Sequence, residues 1–175
     1  MSGHNKFSKI KHQKAKNDGQ KSKVFGKLVR FITVEAKKAG GNQKSPGLAL
    51  AIEKARKENM PNDTIERAIK KASDNSAVME SIMYESYGPG GIAILIEVLT
   101  DNRNKAAAEV KHILSNHGSE LAAVGSAAWA FTKTHEGWVA NMTMPLEDTD
   151  IATLTALVEE LEENDEVQNV FTNAE

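Results

Sequence analysis

Lysine without compensating acid dominates the start of the chain, and that is a chemistry for binding polyanions. Residues 1–30 hold Lys6, Lys9, Lys11, Lys14, Lys16, Lys21, Lys23, Lys27 and Arg30 against Asp18 alone. An ammonium beside a phosphate releases condensed counterions, so such a run binds nucleic acid with a strong dependence on salt. A merely solvated helix face would mix the two signs of charge. Lys37 and Lys38 continue the series, His4 and His12 add hydrogen-bonding groups, and Phe7 can stack on a base or anchor the segment. An anionic membrane is the competing polyanion, but the apolar side of the helix that follows is needed for packing. An organelle presequence would favour Arg, whereas this segment uses Lys and runs straight into the domain.

The remaining candidates are weaker. Asp101-Asn102-Arg103-Asn104-Lys105 reads as a helix start, where free N–H groups with Arg103 and Lys105 could hold a second phosphate. An ordinary N-cap fits the same residues. Gly88-Pro89-Gly90-Gly91 lacks the spacing and the Lys-Ser/Thr of a phosphate-binding loop, and it reads as a tight turn between strands. His112 and His117 stand five apart, off a shared helix face, and no carboxylate stands at metal-ligand spacing to them. Ser115, His117 and Glu120 lie close in sequence, but a catalytic triad is defined by a geometry that sequence does not show. Cysteine is absent, so disulfides, zinc-thiolate sites and thiol catalysis are excluded. The expectation is a protein that is not an enzyme, with no metal, cofactor or small-molecule substrate.

The elements that must position these groups follow from charge and periodicity. The chain has 175 residues, the size of one ordinary domain or two small ones. Its net charge of −2 hides an asymmetry. Residues 1–72 carry 18 Lys and Arg with 6 acids, while residues 73–175 carry 4 bases with 18 acids. A basic half is therefore joined to an acidic one. Residues 147–166 alone hold nine acids and no base.

The basic half reads as helices. Asp18 is an N-cap candidate. Phe25, Leu28, Val29, Ile32, Ala36 and Ala39 share one arc at helical spacing, and Lys23, Lys27, Arg30, Lys37 and Lys38 share the opposite arc. Val34 is apolar yet falls on the basic side, and Gly40-Gly41 ends the helix. A second helix begins near Ser45-Pro46, carries Leu48, Ile52 and Ala55, and stops at Met60-Pro61. Asn62 or Asp63 should cap a third, with Ile65, Ala68, Ile69 and Ala72 at helical spacing. Residues 1–17 have few apolar anchors and little reason to fold before they meet a polyanion.

After a polar linker at 73–80 the period changes. Residues 82–87 read as a strand, 92–99 as a buried strand, and the stretch after Asp101 or Asn102 as a helix ending at Gly118. Ser126–Thr132 and Trp138–Met144 read as strands around a short loop at 134–137. A helix follows from about Asp148, then a last strand at 167–171. From residue 92 onward the order is βαββαβ, with an extra strand in front. This predicts an α+β fold: a three-helix basic domain (1–72), a linker (73–80), and a ferredoxin-like antiparallel sandwich (81–175).

Five blocks carry a resemblance. Gly3-His4-Asn5-Lys6-Phe7 through Ile10-Lys11-His12, Met60-Pro61-Asn62-Asp63-Thr64-Ile65-Glu66-Arg67-Ala68-Ile69-Lys70, Tyr84-Glu85 with Tyr87-Gly88-Pro89-Gly90-Gly91, Thr100-Asp101-Asn102-Arg103-Asn104, and Val167-Gln168-Asn169-Val170 resemble signatures of the YebC/PmpR family. Phe7 stands where that family has Trp. The resemblance implies a cytoplasmic regulator of gene expression. Family members are described as probable DNA-binding transcriptional regulators, and others look like ribosome-associated translational activators. It also implies a third domain, inserted in longer members between Phe131 and Trp138. Here Thr134-His135-Glu136-Gly137 bridges that gap as a plain hairpin.

The sequence reading is thus a nucleic-acid-binding regulator, whose target is DNA or structured RNA such as the ribosome. No membrane partner is expected, and oligomeric state leaves no signal in the sequence. The Lys and Arg residues above would contact phosphates, with Arg103 and Lys105 as a secondary contact. No helix shows a set of base-reading side chains, so sequence specificity is not implied.

Overall fold

The computed structural model describes residues 18–74 and 78–175, with side chains from Ser22 onward in the first stretch. The chain divides into two compact units, one spanning Asn17–Glu80 and the other containing Ser81–Glu175.

The first unit holds α1 (Asp18–Lys38), α2 (Pro46–Lys57) and α3 (Asn62–Lys71). Glycines at positive φ end α1: Gly40 at +58° and Gly41 at +80°, with Gly41 N–H donating to the Ala36 carbonyl at 2.9 Å. That six-to-one bond satisfies a carbonyl the helix would otherwise leave open. Asn59 does the same after α2, at φ 60°, with Met60 N–H donating to the Ala55 carbonyl at 2.9 Å. Pro46 occupies the first turn of α2 as its fixed φ favours. The cap of α3 differs from expectation. Pro61 is its N-cap and Asn62 its first residue, because the Pro61 carbonyl accepts from Thr64 N–H at 3.0 Å and no side-chain cap forms.

Ile32, Ala36, Leu48, Ala51, Ile52, Ala55, Met60, Ile65 and Ala68 make the core of this unit, with Phe25, Leu28, Val29, Phe31, Ala39, Ile69 and Ala72 half-buried against it. The apolar arc of α1 is therefore a packing face. Val34 is also buried, at 5% exposure, although it lies on the basic side.

The second unit runs β1 (Glu80–Tyr87), a 3₁₀ turn at Pro89–Gly91, β2 (Ala93–Thr100), α4 (Arg103–Asn116), a 3₁₀ turn at Ala128–Ala130, β3 (Phe131–Thr134), β4 (Gly137–Ala140), α5 (Asp148–Glu163) and β5 (Val167–Thr172). The α+β class and the element order stand as read. The β2–β5 and β3–β4 pairs are antiparallel as expected, but the strands do not form one continuous sheet. Hydrogen bonding gives a three-stranded sheet in the order β1-β2-β5 and a separate two-stranded sheet of β3 and β4. β2 pairs antiparallel with β5, with Ile94 opposite Thr172 and Ile96 opposite Val170.

Burial on both faces explains the continuous apolar run of β2. Ile94, Ile96 and Val98 face α4 and α5, joining Val110, Leu114, Leu154, Leu157 and Leu161 in one core. Ala93 and Leu95 point the other way, into a second cluster with Ala127, Ala130, Phe131, Trp138 and Ala140. The β3–β4 hairpin covers that second face by side-chain packing, without extending the ladder.

The strand expected at Ser126–Thr132 starts only at Phe131, and the one expected at Trp138–Met144 spans only Gly137–Ala140. The cause of the first is Glu85, 5% exposed on β1. Its carboxylate accepts from the backbone N–H groups of Gly125 (2.8 Å), Ala127 (2.8 Å) and Ala128 (3.0 Å). Those donors are taken by a side chain, so they cannot enter a ladder, and the segment turns around the carboxylate. The alternation fails accordingly: Ala127 and Phe131 are buried while Trp129 is 67% exposed.

Candidate nucleic-acid interface

α1 carries the described part of the expected interface. Lys23, Lys37 and Lys38 are exposed, and Lys27 and Arg30 half-buried. From Lys23 to Lys38 the helix rises about 22 Å, enough to follow several phosphates of one strand. Lys21 lies in α1, with its side chain outside the described residues. His4, Lys6, Phe7, Lys9, Lys11, His12, Lys14 and Lys16 all lie outside the described residues.

Two acids of this unit, Glu35 and Glu53, are answered locally. Glu35 pairs with Lys38 at 2.9 Å. The Glu35 carboxylate also sits against the first turn of α2, beside Gly47. A carboxylate there complements the helix dipole. Glu53 pairs with Lys57 at 2.9 Å on α2.

Basic groups close every helix of this unit: Lys37 and Lys38 on α1, Lys54, Arg56 and Lys57 on α2, Lys70 and Lys71 on α3. Those on α2 and α3 escaped the sequence reading, because short helices with mixed charge look like ordinary solvated faces. Cations at helix C-termini also complement the macrodipole. One of them does more: Lys54 Nζ stands 5.7 Å from the centroid of the Phe31 ring, joining α2 to α1. No periodicity argument reveals such a cross-helix pair.

Arg103 and Lys105 lie in the second unit, exposed at the start of α4. Asn102 caps that helix, its Oδ1 accepting from Lys105 N–H at 3.1 Å. Lys105 Nζ stands 3.8 Å from Glu109. Thr100 Oγ1 accepts from Asn102 N–H at 2.9 Å and contacts the buried Glu166 carboxylate at 3.0 Å. The cap is occupied from within the chain, and a carboxylate lies beneath it. That favours the ordinary N-cap over a phosphate seat.

Among the described residues Glu85 and Glu160 are perturbed carboxylates. Burial alone would raise the pKa of Glu85, but its three backbone N–H donors outweigh burial and hold it below the ordinary glutamate range. Glu160 is lowered chiefly by its hydrogen bond to His117, whose Nε2 is 2.5 Å from Glu160 Oε2. That contact links α5 to the end of α4. Among the described residues no group of three or more His, Cys, Asp or Glu is placed to hold a metal ion.

Fold and site together define a class: a two-unit α+β protein, with a basic helical unit preceding an acidic sheet unit. Comparison with known proteins gives the family. The model of the TACO1/YebC protein N-terminal domain matches residues 5–75, and that of the TACO1/YebC second and third domain matches residues 79–136. A "probable transcriptional regulatory protein" of Fervidobacterium nodosum is 46% identical over 173 residues, which span 95% of this chain and 68% of the relative. A protein of the same description from Petrotoga mobilis is 43% identical, across 100% of this chain and 71% of its own. The crystal structure of a conserved hypothetical protein from Aquifex aeolicus superposes with a TM-score of 0.82 at 29% identity, covering 92% of this chain and 93% of that one. The chain belongs to the TACO1/YebC family.

The second family match ends at residue 136, in the turn between β3 and β4. There the chain makes a plain hairpin, pairing Phe131 with Ala140, Thr132 with Val139, Lys133 with Trp138 and Thr134 with Gly137.

Proposed function

We propose that this chain is a nucleic-acid-binding regulator of gene expression that docks through its N-terminal lysines and the basic side of α1. One observation carries the reading. The nearly pure positive charge of residues 1–30 runs into a helix whose apolar arc packs inward, so Lys23, Lys37 and Lys38 stand on its exposed side. The names of the relatives support it, since both describe transcriptional regulators. The acidic unit is repelled by the same polyanion, so binding turns the helical unit toward phosphate. The action is non-enzymatic and cytoplasmic, with no cofactor and no membrane partner. No helix among the described residues is long and apolar enough to cross a membrane.

Lysine-to-phosphate contacts read backbone rather than base edges, and this observation keeps a second reading in view: a translational activator on ribosomal RNA. Two measurements separate the cases. Removal of residues 1–20 should weaken binding and flatten its salt dependence, and unchanged affinity would refute the electrostatic docking model. Selection on random duplex DNA should be run beside co-sedimentation with ribosomes. An enriched duplex motif assigns the protein to transcription, and ribosome association without a motif assigns it to translation.

A further inference from the structure

We propose that the nucleic-acid surface of the helical unit continues from α1 onto α2 through Phe31 and Lys54, and that this junction receives an unpaired nucleotide. The inference rests on the nucleic-acid reading above and adds the class of strand to it. Lys54 Nζ is 5.7 Å from the Phe31 centroid, within cation–π range. Phe31 is only half-buried, whereas its neighbour Ile32 is fully buried. It follows Lys27 by one helical turn, which puts its ring at the margin of the side bearing Lys23, Lys27 and Arg30.

An aromatic ring bordered by cations is the chemistry that takes a single strand. Phe31 packs on the core from one side and Lys54 lies over the ring, so a base stacks there when the Lys54 ammonium swings aside to a flanking phosphate. A base paired inside a duplex is already stacked on both sides and presents no free face to such a ring. The two acids nearest in sequence to the pair do not spoil the site: Glu35 is held by Lys38 and Glu53 by Lys57, each at 2.9 Å. Packing alone accounts for a partly buried Phe, with the Lys54 stem laid over it. Packing alone makes no distinction between strand types, and there the two explanations part.

The test uses the full chain and fluorescence anisotropy with one labelled RNA sequence, presented single-stranded and as a duplex. Phe31→Leu keeps the apolar bulk and removes the ring. It should weaken single-strand binding at least about fivefold while duplex affinity changes less than about twofold. Phe31→Tyr should restore single-strand binding. Lys54→Gln, a surface change that keeps the test valid if the Leu variant is destabilised, should reduce the single-strand salt slope by about 0.7. The inference is overturned if Phe31→Leu leaves single-strand affinity intact or weakens both forms alike, or if Lys54→Gln leaves the slope unchanged. A wild-type chain that binds duplex DNA but neither RNA form overturns the inference alone, and one that binds no nucleic acid at all overturns the nucleic-acid reading itself, so the two failures are told apart.

Discussion

The two units use charge in opposite ways. Among the described residues of the helical unit charge stays at the surface: the core is wholly apolar, and Lys23, Lys27, Arg30, Lys37 and Lys38 of α1 are exposed or half-buried. The sheet unit also takes charge inside. Glu85 and Glu166 are at most 5% exposed, and Glu85 organises the backbone of Gly125 to Ala128 around itself. Surface charge leaves a fold free to vary and serves binding, whereas a buried carboxylate becomes part of the fold and is costly to remove. Substitutions of charge should therefore damage binding in the first unit and stability in the second.

The largest effect should come from Glu85→Ala. Three backbone donors lose their acceptor, and the loss should be about 4 kcal/mol. Urea unfolding followed by tryptophan fluorescence measures it, since Trp129 and Trp138 both lie in the second unit. A loss below about 1 kcal/mol would break the contrast between the units.

In the helical unit a comparable loss requires an apolar residue. Leu48 is fully buried, and Leu48→Ala should cost about 3 kcal/mol, read by circular dichroism.

Acid titration sharpens the difference further. The folded pKa of Glu85 lies below its unfolded value, so its stabilisation is present above the ordinary glutamate range. It fades as pH falls through that range toward the depressed folded value. Wild type should lose stability over that interval more steeply than Glu85→Gln, and parallel profiles would remove Glu85 as the cause. Glu160 shifts in the same direction but is 41% exposed, so it should contribute little.

Exchange of Lys23, Lys27 and Lys37 for Gln should leave stability within about 0.5 kcal/mol. The same triple variant should lower the slope of log affinity against log salt by two to three on duplex, at ~0.9 per lost contact. A stability loss larger than the binding loss would reverse the contrast. The smallest effect belongs to Lys38→Ala, whose exposed pair with Glu35 should be worth at most about 0.5 kcal/mol in a thermal melt.

Much of the fold was legible because its signals are local. Gly40-Gly41 and Pro46 mark where helices end and begin whatever surrounds them. The spacing of Ile32, Ala36, Leu48 and Ile52 states which faces pack. The doubly apolar run at 92–99 announced a strand buried on both sides. The misreading of residues 126–130 has one source: alternation suggested a strand, but a carboxylate some forty positions earlier had claimed the backbone donors. The site divides the same way. The lysine series of α1 is visible in composition, whereas Lys54 over Phe31 joins residues 23 positions apart on different helices.

By itself, then, the sequence determined the segregation of charge, the helices and the α+β order of elements, because propensity, period and net charge act over a few residues at a time. Only the tertiary structure decided that the β3–β4 hairpin packs beneath the main sheet without joining it, that Glu85 replaces a ladder, and that Phe31 meets Lys54. Each of these depends on which distant groups satisfy a buried donor or cover an apolar face, and that competition is resolved only when the chain is packed.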